Sequence, residues 1–139
     1  LNADSTITTI GSTGLEDAIA AMTFTKPGKL YVLTRGNELH LVDLRTAYSH
    51  PVRKDLHIPV HEGSATSDGR TIVYVRQNGD VYVIDTEKLD DPSESPAFRV
   101  GTMLPGSYTG VSWDGEEDWI VLEERNNGAG RSLADNERI

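Results

Sequence analysis

Residues 67–85 read SDGRTIVYVRQNGDVYVID, which is two apolar runs on either side of a polar Asn-Gly turn. Asn-Gly between apolar runs indicates a β-hairpin, because a type I′ turn needs positive φ at both central residues. We therefore expect Gly69 and Gly79 to lie in turns. The runs are almost continuously apolar, which is typical of strands covered on both faces. We expect burial between neighbouring sheets for Val73, Val75, Val81 and Val83.

The same pattern recurs along the chain. Residues 26–35 (KPGKLYVLTR) match residues 67–76 at a spacing of 41. After one extra residue in the following turn, residues 39–43 match residues 81–85 at a spacing of 42. A third, partial copy (DGEEDWIVLE) starts at Asp114. A period of this length with two strong strands per copy indicates four-stranded antiparallel units, so we predict an all-β chain.

The pattern predicts eleven strands in a single domain. Residues 15–22 fit either a short helix or a tightly packed inner strand. We expect one unit at about 19–60, a second at about 63–103 and a partial third at about 108–139. The predicted strands lie near 5–10, 19–25, 29–35, 38–44, 52–60, 63–67, 71–76, 80–86, 97–103, 108–113 and 118–124.

Residues 67–75 and 80–85 resemble the blade motif of TolB-type, WD40-like β-propellers. In that motif a Ser-x-Asp-Gly turn precedes the second strand, and an aliphatic-Asp pair closes the third. Propellers have roughly four to eight blades, so 139 residues make an incomplete propeller. We expect the other blades to come from the same parent chain or from a homo-oligomer. The chain begins with Leu1 rather than Met, as expected of a fragment or a processed product.

The composition limits the partners. Thirteen basic and 22 acidic residues give a net charge of -9. That balance argues against nucleic acid and against an anionic membrane surface, both of which attract excess positive charge. The absence of cysteine excludes disulfides, thiolate nucleophiles and cysteine-based zinc sites. We expect a protein, peptide or glycan ligand that is basic or neutral.

Two arginines are candidate ligand-binding residues. Arg35 and Arg76 hold corresponding positions at the ends of their strands in the repeat at a spacing of 41. An arginine fork suits carboxylates, so the pair could form part of an anion-binding surface. The alternative is that they pair with Glu38, Asp80 or another turn acid.

Two tryptophans are the other candidates. Trp113 and Trp119 flank the acidic residues 114–118. Each could stack on a sugar ring or fill the gap between blades. The acidic residues suit a solvated hairpin better than a calcium loop, whose spacing they do not follow.

The remaining polar residues favour structural roles. His57 and His61 would lie roughly 13 Å apart on an extended strand, too far to share one metal ion. Asp43 and Asp85 follow apolar runs, and we expect them to accept hydrogen bonds from turn amides. The sequence therefore assigns no catalytic, cofactor-binding or metal-ligating residue.

The predicted function is a propeller-type binding or scaffolding module. An enzyme remains the alternative, because residues 69–75, 79–85, 108–110 and 120–123 are similar to blades of oligogalacturonate lyases. That resemblance implies β-elimination of pectin oligomers, with catalytic and metal-binding histidines in later blades. The gating propeller of a prolyl-oligopeptidase-like peptidase is a third reading from the same blade pattern. The resemblance favours a periplasmic or extracellular location.

Overall fold

The structure is a computed structural model that describes residues 6–25, 28–103, 107–113, 119–124 and 130–132. In these residues, eleven strands and one 3₁₀ turn at Thr86–Lys88 form three antiparallel sheets. The first sheet holds β1 (Ile19–Thr25), β2 (Lys29–Thr34), β3 (Leu39–Val42) and β4 (Ser49–Arg53). The second holds β5 (Gly63–Ser67), β6 (Thr71–Arg76), β7 (Asp80–Asp85) and β8 (Ala97–Thr102). The third holds β9 (Ser107–Trp113), β10 (Trp119–Glu124) and β11 (Gly130–Ser132).

The first strands of the three sheets lie side by side. β5 packs between β1 and β9, and each sheet runs outward from its first strand in chain order. β5 is made of small residues, and within its own sheet a Cβ on Gly63 would lie 2.3 Å from the carbonyl oxygen of Val75 on β6. Only glycine permits so close an approach. This radial stacking of antiparallel meanders is the arrangement predicted for propeller blades.

The second sheet is buried on both faces. One face packs on the first sheet, in a core that includes Tyr31, Leu33, Leu39, Ile72, Tyr74, Tyr82 and Ile84. The other face meets Met103 and Val111 through four valines. Three of these, Val73, Val75 and Val81, are no more than 3 % exposed, and Val83 is partly buried. Their predicted burial is confirmed, completely for three and in part for Val83.

The ladders correct the register of the repeat. Leu30 pairs with Val42 as Ile72 pairs with Ile84, so β2 and β3 match β6 and β7 at a spacing of 42 throughout. The extra residue lies in the first turn, because five positions separate the paired Ser67 and Ile72 where four separate Thr25 and Lys29. The predicted equivalence of Arg35 and Arg76 is therefore wrong. Arg35 corresponds to Gln77, and Arg76 corresponds to Thr34.

Two predicted strands differ from the structure. The strand expected near 5–10 is absent from residues 6–10, where Ile7 is 84 % and Ile10 is 55 % exposed. These residues have strand-forming side chains, but this local preference is not enough to place them in a sheet. For residues 15–22 the sequence fitted either a short helix or an inner strand. The structure shows the strand, since β1 begins at Ile19.

The strand expected at 52–60 ends at Arg53 and begins at Ser49. β4 forms the outer edge of its sheet, where Pro51 can lie because no further strand needs its missing N–H. Beyond it, Leu56, Ile58 and Val60 alternate with exposed residues and are all buried between the first two sheets. Residues 54–60 are therefore a connection that inserts every second side chain into the core, and not the strand expected there.

Both glycines expected in turns have positive φ. Gly69 has φ 104° and Gly79 has φ 100°. The N–H of Gly79 donates to the carbonyl of Arg76 at 2.9 Å, which closes the β6–β7 turn around residues 77–78. Neither of these two residues has a positive φ, so the expected type I′ turn is wrong and only Gly79 takes the left-handed conformation. Asn37, at the corresponding position of the first sheet, has φ 72°. Asparagine is the non-glycine residue that best tolerates this region.

Gly79→Val should destabilise the fold by about 1–3 kcal/mol, because a β-branched residue is strained at this φ. Gly101→Val is the matched control, since a Cβ at Gly101 meets nothing within 4 Å and its φ is not positive. Urea denaturation measures both. Equal midpoints for the two variants would contradict the turn assignment.

Candidate functional site

One end of the sheets carries both predicted arginines. Segments 35–38, 54–62 and 77–79 lie together there, and we call this end the arginine edge. The backbone ties it together: Gln77 N donates to Glu62 O at 2.9 Å, and Leu56 N donates to Asn37 O at 3.1 Å. Turns from both complete sheets thus form one continuous edge.

Arg76 is held by Asp80. Arg76 Nη1 donates to Asp80 Oδ2 at 3.0 Å, and both side chains are more than four-fifths buried. Asp80 also accepts from Thr102 Oγ1 at 2.6 Å, Asn78 Nδ2 at 3.1 Å and Arg99 Nη2 at 3.2 Å. These hydrogen bonds, that of Thr102 first, lower the pKa of Asp80. Arg76 is therefore part of a structural network centred on one carboxylate.

Arg35 is paired as well, but with an acid from another connection. Its Nη2 forms an ion pair with Glu62 Oε1, and both side chains are about half exposed or more. Such a pair contributes little to stability because water and salt screen it. Of the partners expected from the sequence, Asp80 is found for Arg76, while Arg35 takes Glu62. That either arginine contacts a ligand stays a prediction.

A pocket lies next to the arginine edge on the first sheet. The face of this sheet that points away from the second sheet is here called the front face. The carbonyl of Thr13 accepts from Ser49 N at 2.9 Å and from Ser49 Oγ at 2.8 Å, so segment 13–17 crosses the outer half of the front face. Asp17 fixes the end of this segment by accepting from the amides of Ala18 and Gly36. A pocket of about 300 Å³ lies between the segment and the front face.

The pocket is lined by a histidine–glutamate pair. His40 is only 8 % exposed, and its Nε2 lies 3.0 Å from Glu38 Oε2. Within the described residues, His40 Nδ1 has no hydrogen-bond partner. Sequence reasoning missed this pair. The available signal was a polar residue inside the run LHLV with an acid two positions earlier, since strand residues two apart share a face.

The predicted tryptophans lie elsewhere. Trp113 and Trp119 pair directly across β9 and β10, at the end opposite the arginine edge. Their side chains, and the acidic residues 114–118 between them, lie outside the described residues. The four predicted ligand-binding residues therefore do not converge on one site.

The predicted structural roles can be checked at four positions. Asp43 Oδ1 accepts from the amide of Arg45 at 2.8 Å, and Asp85 Oδ1 accepts from the amide of Glu87 at 3.0 Å, which confirms both aspartates as turn acceptors. His57 is exposed with Nδ1 3.4 Å from an Asp55 oxygen, and His61 is exposed on the same connection. In the part of the chain that the structure describes, no three histidine or acidic side chains are grouped as metal ligands would be. That part also contains no helix long and apolar enough to cross a membrane.

No protein-family model matches the sequence, and no curated protein matches it. Three solved β-propeller structures are similar to the chain. Virginiamycin B lyase from Staphylococcus aureus has a TM-score of 0.53 at 13 % identity, over 86 % of this chain and 42 % of its own. BamB from Moraxella catarrhalis has a TM-score of 0.52 at 16 % identity, over 85 % of this chain and 34 % of its own. Chaetomium thermophilum Sqt1, bound to the N-terminus of ribosomal protein L10, has a TM-score of 0.54 at 17 % identity, over 88 % of this chain and 40 % of its own.

These similarities concern the fold. The chain spans less than half the length of each of these three proteins. Together with the stacked antiparallel sheets, they confirm the predicted partial propeller.

Asp80→Asn should destabilise the fold by about 1–3 kcal/mol at pH 7, because it leaves Arg76 and Arg99 without a counter-charge. The lowered pKa of Asp80 means that its stabilisation is complete above the unfolded pKa, at about 4. It is lost as the pH falls through the folded pKa. The difference between variant and wild type should therefore shrink from pH 7 to pH 2 in urea denaturation. Asp90→Asn, at an exposed loop position, is the control, and a difference that stays constant with pH would contradict this network.

Proposed function

We propose that the chain is part of a β-propeller binding module whose arginine edge recognises a protein or peptide with a basic segment. The observation that carries this proposal is that both arginines of the edge are already paired with carboxylates of the chain. Of the charged residues in the three segments, Arg35 and Glu62 pair with each other, while Lys54, Glu38 and Asp55 remain, so the edge carries a net charge of -1.

In the described residues, Glu38 in segment 35–38 and Asp17 in the neighbouring segment 13–17 are acids at or beside this edge without a basic partner other than histidine. Asp17 accepts backbone amides, and Glu38 faces His40, so in the described residues neither carboxylate is bound to lysine or arginine. Glu62, though paired with Arg35, is 66 % exposed. The whole chain carries -9, which steers positively charged partners toward it.

The fold is compatible with a peptide ligand, because the propeller Sqt1 is bound to the N-terminus of a ribosomal protein in its structure. A glycan ligand would rest on Trp113 and Trp119, which lie at the other end of the third sheet. The lyase and peptidase alternatives rest on blade similarity alone. The charge at the arginine edge therefore favours a basic peptide over these candidates.

Fluorescence anisotropy with two labelled peptides of equal length, one rich in arginine and lysine and one rich in glutamate, tests the proposal. The basic peptide should bind, more weakly at higher salt because the charges are screened. Glu62→Gln should weaken binding about fivefold, the size of about 1 kcal/mol expected for an exposed charge. Glu94→Gln, an exposed residue of the β7–β8 loop, is the matched control. Preference for the acidic peptide, or no binding of either, would refute the proposal.

The front face supports a second blade as a further partner. Ile19, Met22 and Phe24 on β1 are 44 %, 59 % and 58 % exposed there. The corresponding face of the second sheet is covered by the first sheet. Exposed apolar side chains grouped on a sheet face favour association. We propose that a further blade, from the parent protein or from a second copy, covers the inner half of this face, which β1 forms beside segment 13–17.

The isolated chain should therefore associate as its concentration rises, as measured by light scattering. Phe24→Ser should shift it toward the monomer. Phe98→Ser is the matched control, because Phe98 on the outer strand β8 is 57 % exposed. A monomer at every concentration, or an equal effect of both variants, would be evidence against the front face as a docking surface.

A further inference from the structure

We propose that the pocket beneath segment 13–17 binds an alkylammonium or guanidinium group. The proposal deepens the proposed function and rests on it for one source of this group, the lysine or arginine side chain of a bound peptide. A free amine is the other source, and the two share the chemistry that the pocket would recognise.

The repeat shows how the pocket is built. In the second sheet, the rings of Tyr74 and Tyr82 stack with centroids 6.1 Å apart and fill the face toward the first sheet. The ladders place Val32 and His40 at the corresponding positions of the first sheet. Val32 is buried, while His40, which is smaller than tyrosine, lines the pocket at the position that Tyr82 fills in the next sheet.

The size and walls of the pocket suit one basic side chain. About 300 Å³ is at the lower end of the range of small-molecule pockets. Leu15 and Pro51 provide apolar walls for an alkyl stem, and the Tyr48 ring also lines the pocket. An aromatic ring attracts a cation that lies over its face. Gly14, with φ 69°, brings the segment so close that a Cβ there would lie 2.9 Å from this ring.

The charge of the pocket is negative. Three carboxylates line it, from Glu16, Asp17 and Glu38. Glu38 uses Oε2 for His40, and within the described residues Oε1 of Glu38 and the carboxylate of Glu16 have no hydrogen-bond donor. An anion would meet repulsion from all three groups. An organic cation with several N–H donors would satisfy their free oxygens.

His40 positions Glu38. Because the Glu38 carboxylate only accepts, His40 Nε2 carries the hydrogen of their 3.0 Å hydrogen bond. The His40 side chain is buried, so this hydrogen bond fixes the orientation of the carboxylate. Within the described residues, His40 Nδ1 has no hydrogen-bond partner, so Nε2 is the ring atom that holds Glu38.

Isothermal titration calorimetry on the 139-residue chain tests the pocket with four probes. These are agmatine, n-butylammonium, a capped Ala-Arg-Ala peptide and the same peptide with citrulline, which is neutral and nearly isosteric with arginine. The three cationic probes should bind, and the citrulline peptide should bind at least tenfold more weakly. Their binding should also shift the NMR signals of the His40 ring.

Glu38→Gln should weaken the cationic probes at least tenfold while still accepting a hydrogen bond from His40. Glu16→Gln, at an exposed position that does not support the fold, is the second pocket variant and should weaken them in the same direction. Glu94→Gln should leave their affinity unchanged. Wild-type affinity in both pocket variants, equal binding of the citrulline peptide, or no binding of any cation would overturn the proposal.

The outcomes separate the pocket from the proposed function. Amines that bind through Glu38 while the arginine peptide does not would uphold the pocket and refute the peptide function. Peptide binding that depends on Glu62 but not on Glu38 or Glu16 would uphold the function and overturn the pocket.

Discussion

Burial of the second sheet on both faces is the constraint on which the rest of this structure depends. β6 and β7 carry apolar side chains above and below the sheet, so they are stable only with a further sheet on each side. That requirement brings the first strands of three sheets together, and the middle one, β5, consists of small residues. The same stacking aligns the turns 35–38 and 77–79, which makes the arginine edge a continuous surface.

The fold could be predicted from the sequence because its signals are local and repeated. Asn-Gly and Asp-Gly turns mark the hairpin, and the apolar runs show that the second sheet is covered twice. The register could not be predicted, because the residue matches of the repeat fit an insertion in the second turn, whereas the ladders place it in the first. The hydrogen-bonded pairing of two strands decides the register, and the sequence of a single strand does not contain that information. Leu56, Ile58 and Val60 alternate with exposed residues as the residues of a strand do. Burial of every second side chain produces this two-residue period even where the backbone forms no strand pairing.

The candidate site was less predictable because it depends on contacts distant in sequence. Asp80 is four residues from Arg76 and was among the expected partners, whereas Glu62 comes from another connection, 27 residues from Arg35. The His40 pocket needs segment 13–17 to cross the first sheet, and no local pattern announces that crossing. A site of this kind lies where the copies of the repeat differ. Here the informative positions are those where the copies differ, Val32 and His40 against Tyr74 and Tyr82.

Pro51 in the outermost strand of the first sheet has a consequence for how copies of this protein can meet. A strand at the edge of a sheet is a template for pairing with another chain, and unchecked pairing leads to fibres. Proline offers no N–H to an incoming strand, so it interrupts such a ladder in the middle of β4. Growth of a continuous intermolecular sheet from this edge is therefore blocked by a covalent feature of the backbone. It holds at any concentration and any salt, unlike the electrostatic repulsion that the net charge supplies.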